Sequence, residues 1–134
     1  MYSPVELQQR IKGFVTALES LPAVGGAERG ERIRQVLLKA ANQTRVGYRD
    51  ACASGSPDEF IRRISFVVTT AKRAKAALVL LVHLDYVVME RVRDVIIEAR
   101  AIENILTASR NSGKRRQQRR LVSEKTRVAR SHHR

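Results

Sequence analysis

The stretch "SPDEFIRRISFVVTTAKRAKAALVLLVH", Ser56 to His83, decides the fold. Ser56 is an N-cap residue, Pro57 suits the first helical turn, and Glu59 completes the pattern of a capping box. Apolar residues then recur every three or four positions, which is the period of one buried helix face. The stretch therefore predicts a long amphipathic helix ending near His83, with these residues inward: Phe60, Ile61, Ile64, Val67, Val68, Ala71, Ala74, Leu78 and Val82.

Three further segments have the helical period, and none alternates convincingly as a strand. The first begins with "SPVE" at Ser3 and stops before "PAVGG", the second begins near Glu28, and the fourth runs from about Val88 to Ser109. Their predicted inward residues are Leu7, Ile11, Phe14, Leu18 and Leu21, then Ile33, Val36, Leu37, Ala40, Ala41, Thr44 and Tyr48, then Val88, Val92, Val95, Ile96, Ala99, Ile102 and Leu106. Short links between four such helices predict an all-α, up-down-up-down four-helix bundle over residues 1–112.

A basic C-terminal tail, residues 113–134, follows the bundle and reads "GKRRQQRRLVSEKTRVARSHHR". It contains nine Lys or Arg residues and one acid, Glu124. This composition is typical of a flexible polybasic arm, of which the part "RRLVSEKTRVAR" is able to form a helical turn or two on a partner.

The charge of the chain points to a polyanionic partner. Its 134 residues include 26 basic and 13 acidic side chains, a net charge of +13, which favours RNA, DNA or acidic protein surfaces. Outside the tail, the cations concentrate on the second and third helices. The candidate nucleic-acid-binding residues are Arg32, Lys39, Arg45, Arg49, Arg62, Arg63, Lys72, Arg73, Lys114, Arg115, Arg116, Arg119 and Arg120. Because the chain has no Trp and few other aromatic residues, we expect phosphate contacts of weak sequence specificity.

Two apolar stripes lie outside the predicted core faces. One is Ile97, Ala101 and Ile105 on the fourth helix, and the other is Phe66, Ala77 and Leu80 on the third. Scattered exposed apolar residues are normal on soluble proteins, whereas an organised second stripe favours an interface. We therefore predict a homo-oligomer whose contacts include Phe66, Leu80, Ile97, Ala101 and Ile105.

Catalytic and cofactor motifs are missing from the sequence, so we expect no enzyme, no metal and no cofactor. The acids of the fourth helix, including Glu98 and Glu103, alternate with arginines as on a solvated face. Lys75 falls inside an apolar stripe, where it either reaches solvent at the edge or meets Glu103. Cys52 is expected to be a small packed side chain.

The expected location is the cytoplasm. A single cysteine excludes an intramolecular disulfide framework and fits a reducing compartment. The first twenty residues do not resemble a signal peptide, and the longest apolar run, Ala76–Val82, is too short to span a bilayer.

The stretch "RIRQVLLKAANQTRVGYRDACASGSPDEFIRRISFVVTTAKRAKAALVLLVHLDYV", residues 32–87, resembles a family of small bacterial four-helix bundle proteins. The family includes proteins encoded in intervening sequences of 23S ribosomal RNA and the accessory variability protein of diversity-generating retroelements. "SPDEFIRRISFVVTTAKRAKAAL" is similar to its capped third helix and "LVHLDYV" to its turn into the fourth. The resemblance implies a homopentameric ring with a positive surface and, in the retroelement branch, a reverse transcriptase partner with its template RNA.

Two functions remain open from the sequence. The first is a non-enzymatic, oligomeric, nucleic-acid-binding accessory protein. The second is a structural or regulatory protein whose basic surface docks an acidic protein partner. Binding of nucleic acid across a salt series separates them, because phosphate contacts weaken steeply as salt rises.

Overall fold

The computed structural model describes residues 2–22 and 28–131, which form four helices and no strand. Helix α1 is Pro4–Glu19, α2 is Glu28–Cys52, α3 is Pro57–His83 and α4 is Met89–Ser131. Helix α1 packs against α2 and α4, and α3 packs against the same two helices. Chain neighbours are therefore neighbours in space and the last helix returns to the first, which confirms the all-α four-helix bundle.

The predicted caps begin both α1 and α3. The Ser3 hydroxyl accepts a hydrogen bond from the Glu6 N–H at 3.1 Å, and the Ser56 hydroxyl accepts one from the Glu59 N–H at 3.2 Å. The Glu59 carboxylate in turn accepts from the Gly55 N–H at 2.9 Å, one residue before the position that a standard capping box uses. These bonds fix where α3 starts and how tightly it follows α2.

The core is aliphatic, with Ile11, Leu37, Ile64 and Leu106 at zero exposure. One polar contact crosses it: the hydroxyls of Thr44 and Thr70 lie 2.8 Å apart and join α2 to α3. Each hydroxyl is also within hydrogen-bond distance of a carbonyl of its own helix. The pair therefore sits in the core without an unsatisfied polar group.

Four inward or outward assignments from the sequence were wrong. Val36 and Val88 are 48% and 59% exposed rather than buried, because Val36 is a full 100° from Leu37 around the helix and Val88 precedes the start of α4. Ala77 is buried rather than outward, since it continues the face of Ala74. Ile105 packs partly against the core instead of standing away from it.

Helix α4 does not end near Ser109 but continues 22 residues further, to Ser131. Gly113 is buried there, where α4 packs against Phe60 and Ile61 at the start of α3; a Cβ on it would lie 3.4 Å from the Phe60 ring, an ordinary contact distance. The Gln117 amide then donates to the Asp58 carboxylate. Composition suggested a flexible arm, but a helix that is already formed gains one backbone hydrogen bond for each residue it adds, and Arg, Lys, Gln and Leu are good helix formers. Residues 132–134 lie outside the described chain.

Candidate nucleic-acid interface

A groove runs between α2 and α3, and the basic side chains of these helices can be located relative to it. Val46, Gly47 and Phe66 line it, with the amides of Asn42 and Gln43 beside them. Gly47 allows the close approach of the two helices, because a Cβ there would lie only 3.0 Å from the Val67 side chain. The groove therefore marks the outer side of the α2–α3 contact.

Four cations lie on the same side of the molecule as this groove. Lys39 is seven residues before Val46 and Arg73 seven residues after Phe66, and seven residues return a helix to within about 20° of its starting direction. Arg32 is seven residues before Lys39 and Arg62 eleven residues before Arg73, and at 100° per residue both spacings leave the two side chains about 20° apart. We call these four cations the α2–α3 face: Arg32, Lys39, Arg62 and Arg73.

Three cations of this face have no carboxylate partner among the described residues. Lys39, Arg62 and Arg73 are exposed and form no ion pair there. Arg32 lies 3.7 Å from the Glu28 carboxylate, but both side chains are largely exposed, so water and salt screen this pair. The α2–α3 face therefore presents net positive charge on ordered helices.

Three other candidates lie elsewhere. Arg45 is about 140° and Arg49 about 100° around α2 from Arg32, and Lys72 is about 100° from Arg73 on α3. Arg45 also donates two hydrogen bonds to the side-chain amide oxygen Oδ1 of Asn42, at 3.1 and 2.9 Å. The predicted cations therefore do not form one continuous patch.

Arg63 is occupied by structure. Its guanidinium lies 2.5 Å from the Glu59 carboxylate and donates to the Asp50 carbonyl at 2.8 Å. It thereby ties the start of α3 to the end of α2. Sequence reasoning could not separate Arg63 from Arg62, because both belong to one "RR" pair and only the packing shows which one has partners.

The tail candidates lie on helix. Lys114, Arg115, Arg116, Arg119 and Arg120 are all exposed along α4, and only Arg120 approaches an acid, Glu124, at 4.0 Å. Residues 113–131 contain eight Lys or Arg residues and one acid, a net charge of +7. This is the most basic part of the described chain.

Two of the acids on α4, Glu98 and Glu103, form ion pairs between helices. Glu103, whose side chain is 10% exposed, pairs with Lys75 of α3. Of the two predicted environments for Lys75, the ion pair is therefore the one observed. Glu98 binds Arg10 of α1 at 2.6 Å, and that hydrogen bond raises the pKa of Arg10 above its ordinary value. Both contacts join α4 to another helix of the bundle.

Cys52 is exposed, so the prediction of a packed side chain was wrong: it is the last residue of α2, about 100° around the helix from the buried Ala51. Within residues 2–22 and 28–131, no group of three His, Cys, Asp or Glu residues is placed to hold a metal ion. Over the same ranges, no helix is long and apolar enough to cross a bilayer.

The candidate interface residues divide into two sets. Phe66 and Leu80 are 53% and 39% exposed beside the α2–α3 face, and Ile97 is 58% exposed on α4. Ala101 and Ile105 are only half-exposed. The first three offer apolar surface on two different sides of the bundle, while their role in assembly stays a prediction.

Comparison with known proteins supports the fold. No family model and no curated protein matches the chain. A crystal structure of a protein of unknown function from Bacteroides thetaiotaomicron is similar, with a TM-score of 0.68 and 17% identity, over 76% of this chain and 95% of that one. That neighbour is from the S23 ribosomal protein family. This likeness to an S23-family structure shows the shared four-helix fold, and it agrees with the resemblance to the intervening-sequence proteins.

Proposed function

We propose that this protein is a non-enzymatic, self-associating accessory protein that binds nucleic-acid phosphates through its α2–α3 face. The observation that carries the proposal is the exposed, unpaired state of Lys39, Arg62 and Arg73 on ordered helices. A cation whose helix is already folded loses only side-chain freedom when it binds a phosphate, whereas a flexible segment also loses backbone freedom. For the same number of phosphate contacts, an ordered basic surface should therefore bind nucleic acid more tightly than a flexible segment.

The test is the salt dependence of binding to a labelled RNA or DNA. Each neutralised duplex phosphate contributes about −0.9 to the slope of log K against log salt. Lys39→Glu, Arg62→Glu and Arg73→Glu together should remove about three contacts, and so reduce the slope magnitude by about 2.7. The matched control reverses three exposed cations of α4, Arg91, Arg93 and Arg100, and changes the net charge equally.

The control should retain most of the slope because it leaves the α2–α3 face intact. Equal losses in both triple variants would show that net charge alone matters and would remove the α2–α3 face from the proposal. An unmodified protein that fails to bind at low salt would refute nucleic-acid binding, and would direct attention to an acidic protein partner instead.

Self-association belongs to the same proposal. Phe66 with Leu80 lies on one side of the bundle and Ile97 on another. Contacts between two different patches of identical subunits generate a closed ring when the rotation between subunits closes, and an open filament when it does not. The family resemblance adds a homopentamer and, in the retroelement branch, a reverse transcriptase partner with its template RNA. The single cysteine adds a cytoplasmic location. Five 15.1 kDa chains give about 75 kDa by native mass measurement, and co-purification with the enzyme tests the partner.

A further inference from the structure

The end of α4 extends beyond the packed bundle. Gln117 still contacts Asp58 at the start of α3, whereas Leu121, Val122 and Val128 are each at least half exposed. We call residues 118–131 the α4 extension. At 1.5 Å per residue its 14 residues measure about 21 Å. It is a helical rod that is anchored at one end and exposed along its length.

Arginines are concentrated on one side of this rod. Taking 100° per residue, Arg119, Arg120, Arg127 and Arg130 of the rod, together with Arg116 just before it, fall within a sector of about 100°. Ser123 lies near the middle of the sector, and the two lysines, Lys114 and Lys125, lie outside it. We call these five residues the arginine face. Among the described residues, Arg120 is the one member of the arginine face with a carboxylate at ion-pair distance, that of Glu124 at 4.0 Å.

The use of arginine rather than lysine on this face favours a ligand that offers pairs of hydrogen-bond acceptors. Arginine presents a rigid fork of donors that fits phosphate oxygens, and also the O6 and N7 atoms of guanine, with two parallel hydrogen bonds. Like charges three or four residues apart destabilise a helix that has no ligand. Arg116 and Arg120 are four residues apart and form such a pair. An anion along the arginine face would relieve that repulsion, and a second copy of the same helix would increase it.

We infer that the α4 extension inserts its arginine face into the major groove of duplex DNA. A helix with its side chains is about 10–12 Å across, and the B-DNA major groove is about 12 Å wide. The major groove of duplex RNA is too deep and narrow for this contact. The inference rests on the proposed function and adds both the nucleic-acid class and the element that enters the groove.

A proline substitution tests the helix separately from its charge. Val122→Pro keeps every cation but interrupts the helix between Arg120 and Arg127, and Val122→Ala is the matched control. Both lie outside the core, so the bundle should stay folded, which circular dichroism checks. For a duplex DNA of about 20 base pairs, we expect at least a tenfold weaker Kd for Val122→Pro than for Val122→Ala. Equal affinities would overturn the inference.

Two further measurements identify the ligand. The unmodified protein should bind duplex DNA at least tenfold more tightly than duplex RNA of the same sequence at the same salt concentration, and equal binding would overturn the groove insertion. Replacing the five arginines of the arginine face with lysine keeps both charge and helix. That variant should lose any preference for guanine-rich duplexes, since lysine does not form the paired hydrogen bonds.

Truncation after Gln118 separates this inference from the proposed function, because it keeps the α2–α3 face and the docked part of α4. If the truncated protein still binds nucleic acid but no longer prefers duplex DNA, both proposals stand. Unchanged duplex DNA binding refutes the α4 extension alone. If only the full chain binds, the α4 extension is the binding element and the α2–α3 face is not.

Discussion

Removing Lys75 should destabilise the protein more than removing the charge of Glu103, although both changes break the same ion pair. The Lys75 side chain is 30% exposed and the Glu103 side chain only 10%. Without Glu103, the flexible lysine can turn its ammonium group into water. Without Lys75, the shorter carboxylate remains among Ala99, Ile102 and Leu106, which are all buried.

The different exposures of Lys75 and Glu103 determine how much stability each variant is expected to lose. A buried polar group without a partner costs about 1–3 kcal/mol, and more when it is charged, so we expect about 2–3 kcal/mol for Lys75→Met. A partly exposed ion pair contributes up to about 1 kcal/mol, which bounds the loss expected for Glu103→Gln. For a chain of this size, each kcal/mol lowers Tm by about 3–5 °C.

Urea unfolding followed by circular dichroism measures both variants, and the double variant Lys75→Met, Glu103→Leu completes the comparison. An apolar pair of similar volume often matches or exceeds the stability of a buried ion pair, so the double variant should recover most of the loss. If Glu103→Gln proves as costly as Lys75→Met, or if the double variant is as unstable as Lys75→Met, the exposure argument is refuted.

Three other predictions follow from single contacts. Gly47→Ala should be less stable than Gly113→Ala. Both variants gain about 1 kcal/mol of helix propensity, but the new Cβ at position 47 lies 3.0 Å from the buried Val67 side chain, and overpacking of about 1–3 kcal/mol offsets that gain. Gly113→Ala meets ordinary contacts and should be neutral or gain up to about 1 kcal/mol; urea midpoints check both. Burial raises the pKa of Tyr48 above its ordinary value of 10.0, and the nearby Cys52 thiol raises it further. Below about pH 10 the free energy of unfolding should therefore not depend on this group. Above about pH 10 it should fall, because the tyrosine ionises in the unfolded chain but not in the folded protein. Tyr48→Phe should reduce that alkaline loss in urea titrations. Ile97→Glu should lower the native mass without lowering helix content, and an unchanged mass would exclude Ile97 from the interface.

The helices and most of the core could be predicted from the sequence because each depends on local rules. The S-x-x-E caps at Ser3 and Ser56 and the period of the apolar residues fix the starts of two helices and their buried faces. The wrong predictions of burial fall at positions where a neighbouring helix determines whether the side chain is covered. Ala77 and Ile105 stand at the edges of their faces, and whether such a residue is covered depends on the position of the adjacent helix.

The state of each cation is harder to predict than its position. Arg62 and Arg63 are adjacent in the sequence, yet only Arg63 reaches Glu59 and the Asp50 carbonyl. Local spacing does not separate them, because Arg62 has Asp58 four residues before it just as Arg63 has Glu59. The Asp50 carbonyl, at the end of α2, is brought to Arg63 only by the fold. A basic sequence therefore predicts a polyanion partner, whereas the choice of binding residues requires the packing.

The two proposed binding elements adjoin at one end of the bundle, and one docking contact sets their relation. Gln117 contacts Asp58, and Asp58 is four residues, about 6 Å along the helix, before Arg62. Gly113 holds α4 against Phe60 and Ile61 in the same turn of α3. Because α4 is continuous through this contact, the direction of the arginine face is fixed relative to Arg62. The arginine face therefore has a fixed orientation relative to α3, which a disordered arm of the same charge would not have.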